Sequence, residues 1–196
     1  AGGIGRAVAL RLAAAGHPVV AVDRDEAGTG SLLRELRGLG HPALAVAADL
    51  RDPGFGERVV ARAAAWHGAA PGVLVNSAGL LQRSDSQSIG PEEWAEVIAV
   101  NLTAAQMMIA AVLPGMRARR AGAIVNVASV SGLLSVPGLN AYTAAKHGVI
   151  GLTRAMGTDL APLGIRVNAV APGMVDSAMT RRFLSRPGLR AAAERS

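Results

Sequence analysis

Five short apolar runs, spaced by stretches long enough for helices, recur along the chain and limit what it can fold into. Val19–Val22 follows His17-Pro18, Ala43–Ala47 follows Gly40-His41-Pro42, and Val73–Val75 follows Pro71-Gly72. Ala123–Val127 and Ile165–Val170 complete the set. The first three are apolar throughout, and the last two are broken only by Asn126, Arg166 and Asn168. Such runs, small or branched and bounded by turn residues, suit strands buried on both faces. Helices are predicted between them, over 3–15, 26–39, 53–68, 91–120 and 140–162. The fold class is therefore α/β, a doubly wound parallel sheet with helices on both faces, and such sheets bind ligands at the carboxyl ends of their strands.

Composition agrees and narrows the function. A length of 196 residues suits one domain, and 51% hydrophobic against 17% charged residues excludes a disordered chain. Forty Ala and only 3% aromatic residues predict a finely packed core. With no Cys and four His far apart, no metal site is expected. The charge of +6 is concentrated after Ser177, in Arg181, Arg182, Arg186, Arg190 and Arg195 against Glu194. Elsewhere Arg is interspersed with acids, without the basic stripe and stacking aromatics of a nucleic-acid reader. No apolar run reaches the ~20 residues of a membrane span, and no charged-then-apolar leader opens the chain, so a cytoplasmic protein is expected.

The rare letters carry the chemistry. The chain has one Tyr, Tyr142, and one Lys, Lys146, against 19 Arg. Both fall in the predicted helix 140–162, where positions i and i+4 share a face. A phenol near pKa 10 is a poor base at neutral pH. A cation ~4 Å away at an effective dielectric of ~20 is worth roughly 4 kcal/mol, enough to lower that pKa by up to ~3 units. Ser129 directly follows the strand Ala123–Val127, at the ligand edge, where its hydroxyl can polarise an oxygen; Ser131 is the competing candidate. Asn101, in the middle of helix 91–120, is a poor helix former whose side chain has either a helix carbonyl or a water near Lys146 to hold.

At the opening, Gly3-Ile4-Gly5 before a helix lets a phosphate approach backbone N–H groups. Asp23 ends the next strand eighteen residues after Gly5, the position of a carboxylate that bonds an adenosine ribose 2′-hydroxyl. That favours NAD over NADP, whose 2′-phosphate would meet a like charge, although Arg24 pulls the other way.

Together these residues resemble the shorter branch of the short-chain dehydrogenase/reductase family, over nearly the whole chain. Gly3 and Gly5 stand where its TGxxxGxG signature ends, and Asp49-Leu50 resembles the pair that contacts adenine. Asn76-Ser77-Ala78-Gly79 resembles the NNAG signature, with Ser77 replacing the second Asn. Asn101, Ser129, Tyr142 and Lys146 fall at the catalytic tetrad, and Arg166–Gly173 resembles the RVNxVxPG segment, which closes on the nicotinamide. The resemblance implies a Rossmann-like NAD(P)-binding domain over 1–196. Its cofactor residues would be Gly3, Ile4, Gly5, Asp23, Arg24, Asp49, Leu50, Asn76, Ala78, Gly79, Tyr142, Lys146, Pro172, Gly173, Val175 and Ser177, the last bonding the carboxamide. It implies reversible hydride transfer between a secondary alcohol and the nicotinamide: Tyr142 the acid–base group, Ser129 polarising the oxygen, Lys146 lowering the Tyr142 pKa and binding ribose, Asn101 anchoring a water.

Leu80, Leu81, Leu133, Leu134, Val136, Pro137 and Leu139 suggest an apolar substrate wall and a neutral alcohol or ketone. A carrier-bound 3-oxoacyl reductase, which would more often use NADP, and a dinucleotide binder without turnover are the alternatives. Homo-tetramers or dimers built on helices 91–120 and 140–162 are implied by the family. The resemblance also places the sequence's start after the first strand and its end before the last. The span 1–196 is accordingly expected to be unstable or inactive alone, because the first strand lies centrally in the family's sheet.

Overall fold

The computed structural model describes residues 2–82, 88–135 and 137–184. Val136, and the arginines at 186, 190 and 195, lie outside the described residues. Strands and helices alternate as the sequence predicts: α1 Gly3–Ala14, β1 Val19–Asp23, α2 Glu26–Gly38, β2 Ala43–Ala47, α3 Phe55–His67 and β3 Val73–Asn76. There follow α4 Pro91–Ile98, α5 Ala104–Arg119, β4 Gly122–Val127, α6 Asn140–Leu160, β5 Ile165–Val170 and α7 Ala178–Leu184.

Every strand pairing is parallel, but the sheet comes in two parts, β1-β2 and β3-β4-β5. Side-chain alternation puts helices on both faces of the first part. Val19, Ala21 and Ala43 pack with Leu32 and Leu36 of α2 and Ala9 and Ala13 of α1. Val20, Val22, Leu44 and Val46 pack instead with Phe55 and Val59 of α3 and Ala104 of α5. In the second part, Leu74, Ile124, Ile165 and Val167 meet Ile109, Val112 and Met116 of α5 and Leu160 of α6.

The sheet is in two parts because, among the described residues, no strand lies between β1 and β3. A slot of about 540 Å³ runs there instead, lined by Val19–Asp23 on one side and Val73–Asn76 on the other. α1 contributes Val8, Ala9 and Leu12 to it, and α5 contributes Ala105, Met108 and Val112. Val73, in a strand that reads as buried, is 43% exposed for this reason. This slot is an inter-strand gap, and its upper end, at Gly2, Gly5, Asp23 and Ser77, reaches the predicted ligand edge.

Helix 91–120 is real but interrupted. Residues Ala99–Thr103 form a π-helical turn between α4 and α5. The whole stretch Pro91–Arg119 is long and apolar enough to cross a membrane, with mean hydropathy 1.8 over 18 residues. This corrects the expectation that nothing reaches that length: Asn101 and Gln106 hide the run in the sequence, and one face is apolar because it packs on α3, β3, β4 and α6.

Candidate active site

Four loops bring the motifs together at the carboxyl ends of the strands, and glycines set how closely they meet. Gly3 has φ +55, and a Cβ there would touch Cβ of Ser177 at 3.4 Å. A Cβ on Gly5 would meet the Ser77 hydroxyl at 3.4 Å. One on Gly79 would stand 3.0 Å from Asn101 Oδ1 and 3.9 Å from Lys146 Nζ. Segments far apart in sequence thus pass close to one another at these glycines, most tightly at Gly79, where a side chain would crowd Asn101.

Ser129 leaves β4 in extended conformation, and its Oγ accepts a hydrogen bond from the Ser131 N–H at 3.1 Å. It also lies close enough to the Tyr142 hydroxyl to favour the ionised phenol. Ser131 is buried, and Ser129 is the serine of the pair that acts on the phenol. The loop is fixed by Ala128 N–H to Val170 O at 2.8 Å and Val130 N–H to Pro172 O at 3.0 Å, which seat Pro172-Gly173 beside it. The backbone of α6 approaches closely at Gly132, where a Cβ would lie 2.7 Å from the Lys146 carbonyl oxygen.

Lys146 is 4% exposed and donates from Nζ to Val127 O at 2.8 Å. Its ammonium lies 5.6 Å from the centre of the Tyr142 ring, within cation–π reach. Burial lowers its pKa to about 8. Burial pushes the Tyr142 phenol up, and the Ser129 hydrogen bond pulls it only partly back. The depression by Lys146 expected from the Tyr-x-x-x-Lys spacing is absent here: the ammonium is held by the Val127 carbonyl and not by the phenol oxygen.

Asn101 is 2% exposed, on the π turn. Its Oδ1 accepts from Leu80 N–H at 3.1 Å, and its Nδ2 donates to Leu80 O and Val97 O, both at 2.9 Å. The side chain thus clamps the turn after Gly79 and satisfies a helix carbonyl, one of the two roles the sequence left open.

Other predicted residues are engaged differently from expectation. Asn76 points into the sheet, its Nδ2 donating to Asn126 Oδ1 at 2.9 Å. The Asp49 carboxylate takes both ends of the Arg51 guanidinium, at 2.9 and 2.5 Å, which holds its pKa down at about 2. Arg51 also reaches Glu96. Leu50 packs inward toward β2 and α3. Ser177 caps α7, its Oγ accepting from Thr180 N–H at 3.2 Å. Val175 and Ala78 are exposed at the rim, and Ile4 is half-buried in the first turn of α1.

The glycine turn fits a dinucleotide pyrophosphate. α1 begins at Gly2 with no side-chain cap and no acid in its first turn, and a Cβ on Gly2 would meet nothing within 4 Å. Its leading N–H groups are open to an anion. Asp23 stands at the end of β1, its Oδ1 accepting from Asp25 N–H at 3.1 Å, with Arg24 exposed beside it. Among the described residues no cluster of His, Asp and Glu could hold a metal. Sequence reading missed Gly132, Asn126 and Thr153, although the first is signalled by a glycine three residues after Ser129.

A helix N-terminus shaped for pyrophosphate beside half-buried Ser129 and Tyr142 and a buried Lys146 defines an NAD(P)-linked oxidoreductase of the Rossmann-like class. The sequence model of the short chain dehydrogenase family matches residues 1–187, and the chain belongs to that family. It is 41% identical over 182 residues to a protein of Streptomyces violaceoruber named as ketoacyl reductase 1 of the granaticin polyketide synthase, covering 92% of this chain and 66% of that one. It is 37% identical to the 3-oxoacyl-[acyl-carrier-protein] reductase FabG of Thermotoga maritima, covering 93% and 74%. A solved actinorhodin polyketide ketoreductase with NADPH superposes with a TM-score of 0.90 at 38% identity, covering 94% of this chain and 71% of that one. The chain thus spans about two thirds to three quarters of the length of these proteins.

Proposed function

We propose that the chain reduces ketones, and in reverse oxidises secondary alcohols, with Tyr142 as the proton donor and acceptor. The observation that carries this is the grouping around Tyr142 of Ser129, which acts on its hydroxyl, and a buried ammonium 5.6 Å from its ring. A nicotinamide dinucleotide held by its pyrophosphate at the glycine turn would supply or accept the hydride. Ser129 donates a hydrogen bond to the substrate oxygen as charge builds there. Tyr142, with its pKa raised by burial, is held as the phenol at neutral pH and donates its proton to that oxygen, which suits reduction. Lys146 bonds the ribose and stabilises the phenolate from beside its ring. Asn101 holds the Gly79–Leu80 turn beneath Lys146, and a water at the π turn relays from solvent the proton that restores the phenol.

The rim fits a neutral, partly hydrophobic substrate: Leu133 and Leu134 after Ser129, with Met174, Val175 and Met179 after β5, are all exposed. A 3-oxoacyl thioester is the specific reading favoured by the names of the relatives. Asp23 supports NAD as the preferred cofactor, while the actinorhodin ketoreductase was solved with NADPH. A cytoplasmic homo-oligomer completes the reading, supported by Trp94, 43% exposed on α4. The test is consumption of NADH and NADPH with a 3-oxoacyl thioester and with a panel of simple ketones. Tyr142→Phe should abolish turnover and retain cofactor binding; turnover unchanged in that variant would overturn the assignment.

A further inference from the structure

A buried polar side chain is costly unless its hydrogen bonds are made, so a line of such groups crossing a core marks a junction held at fixed geometry. One line crosses the layer beneath the Ser–Tyr–Lys group. Asn76 on β3 donates from Nδ2 to Oδ1 of Asn126, its register partner on β4, at 2.9 Å, and to Ala105 O of α5 at 3.4 Å. Asn126, with no exposed surface, donates from its own Nδ2 to Thr153 Oγ1 on α6 at 2.9 Å. Thr153 donates in turn to Val149 O at 2.7 Å. The next residue on β4 is Val127, whose carbonyl holds Lys146 Nζ.

Helix α6 is therefore tied to β4 at two neighbouring residues: at Val127 by Lys146, and at Asn126 by Thr153, two helical turns further on. The first tie belongs to a residue of the proposed chemistry. The second touches nothing that reacts, and two points on a helix set its position along a strand. Tyr142 and Lys146 ride on α6, whereas Ser129 and the Val127 carbonyl ride on β4.

We propose that Asn126 and Thr153 are positioning residues: their hydrogen bond holds α6 at the height on β4 where Tyr142 meets Ser129 and Lys146 meets the Val127 carbonyl. For its catalytic meaning this rests on the proposed role of Tyr142. Without the tie, α6 keeps only its polar anchor at Val127; the distance between Tyr142 and Lys146 on the same helix is unchanged, and Tyr142 moves relative to Ser129. Since Ser129 lowers the Tyr142 pKa against the effect of burial, losing that approach raises it. Among the described residues no charged group of a neighbouring element contributes to either titration: burial acts on Lys146, and burial with Ser129 on Tyr142.

The chain's single Tyr and single Lys make the test direct. Tyrosine labelled with carbon-13 at Cζ and lysine labelled at Cε each give one resonance, and both are titrated without turnover. Thr153→Val should raise the Tyr142 titration by about half to one pH unit, the worth of one hydrogen bond to a phenolate. Thr153→Ser, which keeps the hydroxyl, should titrate as the parent does. Leu160→Ala, which loosens the far end of α6 in the core, should lower the melting temperature and leave both titrations in place. Should the valine variant not fold, Thr153→Ala carries the same expectation. A parent-like titration in the variant lacking the hydroxyl, or an equal shift in Leu160→Ala, overturns the proposal. Shifts as expected in a chain that reduces no ketone would instead leave the positioning role standing and remove the proposed reaction.

Discussion

Replacing Lys146 by Met should stabilise the protein at neutral pH while abolishing its activity. The ammonium is 4% exposed, and burial takes its pKa from 10.5 to about 8. At 1.36 kcal/mol per unit, keeping it charged at pH 7 costs the fold about 3 kcal/mol. Removing it also loses the bond to Val127 O and the contact with the Tyr142 ring, together about 2 kcal/mol. A similarly sized Met restores the packing, leaving a net gain of about 1 kcal/mol and a melting temperature about 2–4 °C higher. The pH dependence separates this account from simple repacking. Between pH 8 and 10.5 the unfolded chain binds a proton at this residue that the folded chain does not, so the parent's stability rises with pH across that window. By pH 9.5 the parent should have gained about 2 kcal/mol on the variant, and the order of stability should have reversed. Urea denaturation at pH 7, 8.5 and 9.5 measures the difference. A stability gap that stays constant across that range would refute the assignment of a desolvated ammonium, as would full turnover by the Met variant.

Four further outcomes follow from distances and edges in the structure. Gly132→Ala sets a Cβ 2.7 Å from the Lys146 carbonyl oxygen, and should cost about 1–3 kcal/mol and lower kcat by about 100-fold. Gly151→Ala, on the exposed side of α6 with nothing within 4 Å, should instead raise the melting temperature with kcat unchanged. Asp23→Ser should raise the ratio of kcat/KM for NADPH over NADH by about tenfold or more; an unchanged ratio would remove Asp23 from cofactor selection. An extended peptide of alternating Val and Ala, about six residues long, should enter the slot between β1 and β3 and raise the melting temperature saturably, and a Lys-substituted version should not.

What the sequence makes legible is what depends on local pattern. Val19–Val22, Ala43–Ala47 and Val73–Val75 are apolar on both faces, and each is found as a strand in parallel pairing or at the slot. The Tyr142–Lys146 pair lies on one helix as its spacing requires, and Ser129 follows its strand. The destinations of side chains are set by partners far away in sequence and are not legible in the same way. Asn76 sits in a signature that reads as cofactor-binding, yet it turns to Asn126, fifty residues on. Asp49 is occupied by Arg51, two residues away, and Ser177 by the N-terminus of α7. Thr153 and Asn126 look like ordinary interruptions of apolar segments until β4 and α6 are laid together.

The split sheet divides the site into two halves of unequal independence. Asn101, Ser129, Tyr142, Lys146 and Pro172 all stand on elements joined to β3-β4-β5, linked by the hydrogen bonds of Asn101 to Leu80, Val130 to Pro172 and Lys146 to Val127. Asp23 and the glycine turn belong to the β1-β2 side. At the ligand edge the halves meet where Gly3 lies against Ser177 and Gly5 against Ser77, each pair leaving room for about one methyl group. Whatever fills the slot therefore acts first on the distance between cofactor cradle and catalytic group, and only weakly on the catalytic group itself. Occupying it with the extended peptide should lower the KM for the nicotinamide cofactor and leave the Tyr142 titration where it was. A shift of that titration on peptide binding would show instead that the Ser–Tyr–Lys geometry is transmitted across the whole sheet.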